Sequence, residues 1–252
     1  WNNRNSGIAM ELWVGAFNLG FLYAFMAMGV FITFRVYNFP DVTVDGSFTT
    51  GAAIAAVLLV GKVNPFLALV ASFFVGGIAG YLTGIIHTRF NINGLLAGIL
   101  VMTGLYSINL HLMGRSNIPL IHQNHLMTFL EGIQPGLPKE VWLCLCFFGV
   151  MILFWVVTSL FFKTDLGITM RTTGSNPTMA AASGVHVNRM KIFGISIANG
   201  LVGVSGGLVA QYQGFADIGM GIGTVVLGLA AVIIGESVLR PQSIYMKILS
   251  VI

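Results

Sequence analysis

Arg171-Thr-Thr-Gly-Ser-Asn-Pro-Thr-Met-Ala-Ala-Ala-Ser-Gly-Val-His-Val-Asn-Arg-Met-Lys191 is the one long polar interruption in the apolar C-terminal half of the chain. It carries the marks of a short helix fixed at both ends. Ser175 or Asn176 can cap the first N–H groups, and Pro177 suits the first helical position, where a missing N–H costs nothing. Residues 178–183 are mostly small helix formers, and Gly184 can take the left-handed turn that stops a helix. A helix this short is marginal in water by itself. The rest of the chain, a partner protein, or both must hold it.

The composition around that stretch decides the class. Hydrophobic residues make up 56% of the 252 and charged residues 8%, with a mean hydropathy of +0.88. A soluble domain carries roughly 25% charged residues. Several apolar runs reach about 20 residues, the length of helix that crosses a ~30 Å hydrocarbon core. The runs are continuous rather than alternating, which favours a helical bundle over a barrel. The 32 glycines predict helices packed closely through small residues. The net charge of +4 lies in loops and reads as topology and lipid headgroup contact, not nucleic acid. Cys144 and Cys146 would point about 200° apart on a helix, so they read as membrane-buried thiols rather than a metal pair.

In chain order, residues 1–9 are polar, Met10 is compatible with a native start, and no cleavable signal peptide is evident. Residues 12–34 form a first span. Residues 37–60 read as a broken element: an extended piece, then a half-helix over 47–60, capped by Asp45 or Ser47 and too short to cross alone at about 21 Å. Further spans fall at 64–86, 92–112, 141–162 and 192–212, and a shorter one at 224–238. A last run from 243 is cut off at Ile252, as though the native chain continues. The expectation is an all-α polytopic membrane protein of about eight transmembrane elements, one broken and the last truncated, in a single domain over 1–252. Within the 113–140 connector, residues 126–132 suggest a short surface helix. Lys163, Arg171, Arg189 and Lys191 cluster in one connection, which predicts that 171–191 is cytoplasmic. Counting outward puts Arg89 and Arg240 inside, and the 113–140 connector and the N-terminus outside.

No catalytic constellation is present: no phosphate-cradling glycine loop, no His-Glu-x-x-His and no Gly-x-Ser-x-Gly. His122 and His125 read as a solvated pair. Asp41, Asp45, Asp217 and Glu236 lie in or near apolar segments. A carboxylate at the bilayer centre costs roughly 2.5–3.5 kcal/mol even on a lenient scale. Each must therefore face water, a partner or a pathway, or sit at the headgroups, as Glu236 is expected to do. Asn109, Asn199 and Gln211 suit interhelical hydrogen bonds. These are too few ionisable groups for an ion relay, so a carrier built this way would draw energy from elsewhere or be a passive channel.

At Gly174-Ser-Asn-Pro-Thr-Met-Ala-Ala-Ala-Ser-Gly-Val-His-Val-Asn-Arg-Met-Lys-Ile192 the chain resembles the membrane subunits of bacterial ABC importers of the branched-chain amino-acid and ribose permease type. The likeness runs over most of 12–239. In that family a Gly-x-Asn-x-x-Ala-Ala-x-x-x-Gly-Ile/Val segment precedes a glycine-rich span and forms the coupling helix. The glutamate of the general importer motif is absent here, with Met179 or Ala180 in its region. Gly221-x-Gly-Thr and the following run to Glu236 also look like the family's penultimate core helix. Asn38-Phe-Pro-Asp-Val-Thr-Val-Asp-Gly-Ser47 departs from the family's Asn-x-Ala-x-Gly segment and is similar to a subgroup linked to aromatic or other amino acids.

The resemblance implies a permease subunit in a bacterial cytoplasmic membrane, a homodimer forming a path between two copies, and an extracytoplasmic substrate-binding protein above. Cytosolic ATPase subunits would lie below and carry the ATP and Mg²⁺; this chain would bind no cofactor or metal and catalyse nothing. Coupling falls to Asn176, Pro177, Met179, Ala180, Ala181, Ala182, Ser183, Gly184 and Val185. Candidate path residues are Asn38, Asp41, Thr43, Asp45, Ser47, Asn199 and Gln211, with the half-helix N-terminus offered to an anionic group of the solute. The solute expected is a small polar one, an amino acid first. A sugar or nucleoside carried by the same machinery, and an ATP-independent channel or secondary carrier, stay open as alternatives.

Overall fold

The computed structural model describes residues 2–121, 123, 126–132, 139–239 and 243–251. It is 81% helical, with six helices long and apolar enough to cross a membrane. Helix α1 (Asn2–Val30) runs into a π-helical turn at Phe31–Val36, and together they supply the first span, Leu12–Val36. After a non-helical joint come α2 (Thr43–Val60), α3 (Pro65–Phe90) and α4 (Gly94–Met113). Strand β1 (Asn117–Pro119) and α5 (Leu126–Glu131) follow, then α6 (Lys139–Phe161), α7 (Asp165–Ser175) and α8 (Pro177–Ala182). Helix α9 (Val187–Gln213), strand β2 (Phe215–Asp217), α10 (Thr224–Leu239) and α11 (Ile244–Val251) complete the order.

Several ends follow local sequence rules. Asn64 and Asn93 cap α3 and α4 by accepting from Phe66 N and Leu95 N, each at 2.9 Å, and Pro65 takes the first turn of α3.

Helix α9 is the centre, packed against α1, α2 and α3. In lipid nothing hydrophobic drives two helices together, so close backbone approach must do it. A Cβ on Gly51 of α2 would collide with the Gly203 carbonyl of α9, and one on Gly76 of α3 with the Asn199 carbonyl. The bundle is therefore sorted by burial. The α2 span is 78% buried, while α6 is 17% buried and presents its apolar side chains outward.

The broken element differs from its expected form. Helix α2 starts at Thr43, not at residue 47, so its 18 residues reach about 27 Å and by length can cross. The irregular backbone is shorter, residues 37–42, and it is tucked into protein rather than laid in lipid. Tyr37 N and Phe39 N donate to Ile32 O and Thr33 O at 3.1 and 2.9 Å, and Tyr37 Oη donates to Met190 O at 2.7 Å. Gly94 leaves room for the Phe39 ring and Gly194 for the Tyr37 ring. Asn38 takes the left-handed conformation, φ 51°, that a short amide side chain tolerates.

One end of the bundle gathers the ends of α1, α3 and α10 with α7, α8 and the start of α9. Arg35, Arg89, Lys163, Arg171, Arg189, Lys191 and Lys247 all belong to it. Arg35 Nε lies 2.8 Å from Glu236 Oε1, so Glu236 pairs across helices instead of merely facing headgroups. At the other end β1 and β2 pair antiparallel, Asn117 opposite Asp217, a contact the sequence does not announce. The short helix expected near 126–132 is α5. Arg240 and the His122–His125 pair lie outside the described residues.

Candidate functional site

The polar stretch 171–191 is not a loop with one helix in it. Its first residues belong to α7, whose start is capped by Thr164 Oγ1 accepting from Gly167 N at 3.3 Å. Met170 and Thr173 of α7 are buried, and Gly174 lies against the Val36 carbonyl. Helix α7 is thereby clamped to the π-turn at the end of the first span.

Asn176 then turns the chain. Its N–H donates to Thr172 O at 2.9 Å, closing α7, while its Oδ1 accepts from Met179 N at 3.0 Å and Thr178 Oγ1 at 2.7 Å, opening α8. The cap is Asn176; Ser175 is the last residue of α7. At the other end Val185 N donates to Ala180 O and Gly184 N to Ala181 O, with Gly184 at φ +84°. That pairing is a Schellman closure, which satisfies the last carbonyls of the helix. Ala180 is buried and faces the protein, so it anchors α8 rather than presenting a surface. Pro177, Met179, Ala181, Ala182 and Ser183 are exposed, Met179 at 68%. The result is a six-residue helix with both ends satisfied from within, displaying a small apolar face at the basic end.

Four of the candidate path residues meet in the middle of the bundle. Asp41 Oδ2 accepts from Asn199 Nδ2 at 2.7 Å, and Asp41 Oδ1 accepts from Thr43 N at 2.9 Å. Asn199 Oδ1 in turn accepts from Ser47 Oγ at 2.7 Å. Thr83 of α3, not singled out from the sequence, joins through a 2.7 Å contact between its hydroxyl and that of Thr43. All five side chains are fully buried, so this network ties α2, α3 and α9 together and lines no open passage. It also displaces one expectation. The N-terminus of α2 is not free for a solute anion, because Asp41 already occupies it, and neither Asp45 nor Ser47 caps that helix.

Asp45 looks elsewhere. Its Oδ1 accepts from Val225 N at 2.8 Å and Thr224 Oγ1 at 2.9 Å, and its Oδ2 accepts from Gly223 N at 3.0 Å. A carboxylate on α2 thus caps α10 from outside, where exposed N–H groups and the helix dipole both favour a negative charge. Thr49 Oγ1 accepts from Gly221 N at 3.1 Å, and Gly221 has no space for a side chain beside Asp45 O. The sequence showed Asp45 as a capping residue but not which helix it caps, since the two are 178 or more positions apart.

The remaining two candidates are scattered. Asn38 lines a 430 Å³ cleft at the basic end with Arg35, Arg171 and Lys247. Gln211 sits near the far end of α9, where Oε1 accepts from Leu126 N at 2.9 Å and steadies α5. Among the described residues no group of three or more His, Cys, Asp and Glu could hold a metal ion.

Residues 12–249 match the family model described as the branched-chain amino acid transport system / permease component. Over 185 residues the chain is 42% identical to a tyrosine transport system permease protein of Clostridioides difficile, covering 73% of this chain and 59% of that protein. It is 26% identical over 206 residues to a probable branched-chain amino acid transport permease of Methanocaldococcus jannaschii, covering 76% and 63% respectively. To the ribose import permease of Escherichia coli it is 24% identical over 186 residues, covering 73% and 56%. The chain thus spans less than two thirds of the length of each of these three. No solved structure gives a significant match.

Proposed function

The chain belongs to the permease-component family of branched-chain amino acid transport systems, and from that premise we propose that it is the membrane subunit of an ABC importer for an amino acid, an aromatic one foremost. As a permease it is a multi-pass protein of the cytoplasmic membrane and not an enzyme by itself. In the complete transporter two copies would enclose the path, and a binding protein would deliver solute from outside. Two ATPase subunits holding ATP and Mg²⁺ would sit at the basic end. The cationic excess there supports a cytoplasmic assignment for 171–191, and with it an external one for the N-terminus and the 113–140 connector. The tyrosine preference rests on the 42% identity to the tyrosine permease; the weaker likeness to ribose permeases favours the sugar reading less.

The observation that carries the proposal is the construction of α8. A lever must transmit displacement without bending. Helix α8 is closed at both ends, pinned inward by Ala180 and continued through α7 into the π-turn at Val36. A push on Met179 or Ala182 would reach the first span and, through His186 and Val187, the start of α9.

The test uses the full-length chain with its ATPase and binding protein in proteoliposomes. Gly184→Pro demands φ near −65° where the backbone holds +84°, and Ala181→Arg places bulk on the exposed face. Each is expected to cut ATP-driven uptake of labelled tyrosine at least ~10-fold, as a loss of ~1.4 kcal/mol of coupling would, with insertion unchanged. Normal uptake by both variants sinks the lever. Uptake of ribose in place of tyrosine would shift the cargo, and flux without ATPase would remove the importer reading altogether.

A further inference from the structure

The basic end holds a cleft that the lever does not use. It lies between the π-turn at Phe31–Val36, α7 and α11, and its volume is about 430 Å³. Helix α7 packs on the π-turn and α11 on α10 and α6, so the space between them stays open. Each wall brings one cation: Arg35 from the π-turn, Arg171 from α7 and Lys247 from α11. No carboxylate is among the described residues that line it. Arg35 gives its Nε to Glu236 at 2.8 Å, and its two terminal nitrogens have no partner among the described residues. Arg171 and Lys247 make no hydrogen bond or ion pair among the described residues. Asn38, held at φ 51°, adds an exposed amide to the same cleft.

A second observation concerns depth and the apolar surroundings. The first span ends at Val36, so Arg35 sits where that helix leaves the membrane. Tyr245 of α11 lies under the Lys163 ammonium, 4.8 Å from the ring centroid, an aromatic and a cation together as at a membrane–water boundary. Phe31 floors the cleft, and Ile168 lines it while remaining exposed. The same two helices also expose Leu166, Met246 and Leu249. Unpaired cations at headgroup depth thus adjoin side chains suited to acyl chains.

We propose that this cleft binds the phosphate of an anionic phospholipid, with Arg171 and Lys247 as the charge contacts and Arg35 and Asn38 donating beside them. A basic pocket between membrane helices is suited to an anionic headgroup. The inference goes beyond the importer reading and does not need it. The ligand class follows from the lining. A free phosphate would satisfy the cations but leave the apolar flank without a role. An acidic segment of the ATPase would be expected against α8, which contributes none of the lining. A lipid uses both the cations and the apolar edge. The site could not be read from spacing, because its three cations come from parts of the chain 136 and 76 positions apart and only the fold brings them to one opening.

The test uses the full-length chain purified in dodecyl maltoside, with bound lipid counted by native mass spectrometry. Wild type should bind phosphatidylglycerol about tenfold more tightly than phosphatidylcholine, whose phosphate is offset by its own choline. Arg171→Gln alone should lower that preference about fivefold, and Arg171→Gln/Lys247→Gln should erase it. Arg171→Lys/Lys247→Arg should keep it. So should Arg189→Gln/Lys191→Gln, which removes the same charge from the same end outside the cleft. No preference in wild type, or an equal loss from the Arg189→Gln/Lys191→Gln pair, overturns the site. A rise in unfolding temperature with inorganic phosphate that Arg171→Gln/Lys247→Gln abolishes would assign the cleft to a free anion and overturn the lipid. Weaker ATPase binding by that variant, with the lipid preference intact, would assign it to an acidic surface of the partner and overturn the lipid equally. The lipid count needs neither solute nor ATPase, so failure of tyrosine uptake would sink the importer reading and leave this result standing.

Discussion

Helices α8 and α10 begin under opposite regimes. The first turn of α8 is satisfied by its own neighbour, Asn176, on an exposed segment. The first turn of α10 is satisfied by Asp45, a residue of α2 that lies 178 to 180 positions earlier. An exposed helix that must stay rigid at a surface carries its caps with it, because water competes for every group it leaves open. A helix that begins inside a membrane protein can borrow its cap, and in doing so locks two elements together. Structural self-sufficiency suits a lever, and structural debt suits a scaffold.

The most disruptive way to probe that contrast is Asp45→Ala. It removes a charged acceptor from three donors and strands two N–H groups, a part-buried one on Gly223 and a buried one on Val225. Hydrogen bonds to a charged group contribute about 1.5–3 kcal/mol each, and a buried donor left unpaired costs about 1–3 kcal/mol. The expected result is a large fall in unfolding temperature of the detergent-solubilised protein and poor membrane accumulation, with Asp45→Asn between it and wild type. A loss no greater than that from Thr49→Val, which removes the Gly221 partner and a hydroxyl bonded within α2 to Asp45 O, would mean that α10 does not depend on α2 for its start.

Removing the local cap should be milder. Asn176→Ala is expected to cost about 1 kcal/mol, with Asn176→Ser close to wild type. Because α8 is exposed, the loss should show in transport coupling more than in unfolding temperature. A double-mutant cycle sharpens the comparison. Asp45→Ala with Thr224→Val should be coupled by at least ~0.5 kcal/mol, as residues in one hydrogen-bond network are, whereas Asp45→Ala with Asn176→Ala should add within ~0.3–0.5 kcal/mol. Strong coupling in the second pair would erase the distinction between the two regimes.

The same distinction separates what the sequence disclosed from what it did not. The spans, the Asn-Pro start of α8 and its glycine stop are all written locally, in apolar run lengths and in capping residues within a few positions. Asp41 and Asp45 were visible as carboxylates needing a partner, but the partner depends on packing: Asn199 for one, the turn at 223–225 for the other. The sequence points to a start of α2 four residues late because Asp45 and Ser47 look like caps by type, while the N-cap is Val42 and the first N–H of the helix is met by Asp41, one residue further back and held by α9. Helix α7 was missed because Thr169, Thr172, Thr173 and Gly174 are weak helix formers, and its stability comes from Met170, Thr173 and Gly174 seated against the bundle.

Gln211 gives the smallest expected effect and the finest discrimination. It is a borrowed cap like Asp45, accepting from Leu126 N at the start of α5, so Gln211→Leu strands that N–H. Yet the Gln211 amide nitrogen is itself buried without a partner among the described residues, and the substitution removes that stranded donor. Each unpaired buried group costs about 1–3 kcal/mol, so the two changes oppose one another and the net shift should stay within ~1 kcal/mol. A neutral amide that satisfies one group while stranding another ties α9 to α5 only loosely, in contrast to the fully used carboxylate of Asp45. Were Gln211→Leu to destabilise as strongly as Asp45→Ala, charge and full use of the acceptor would not be what distinguishes the two contacts, and any cap borrowed across the bundle would have to be counted as equally structural.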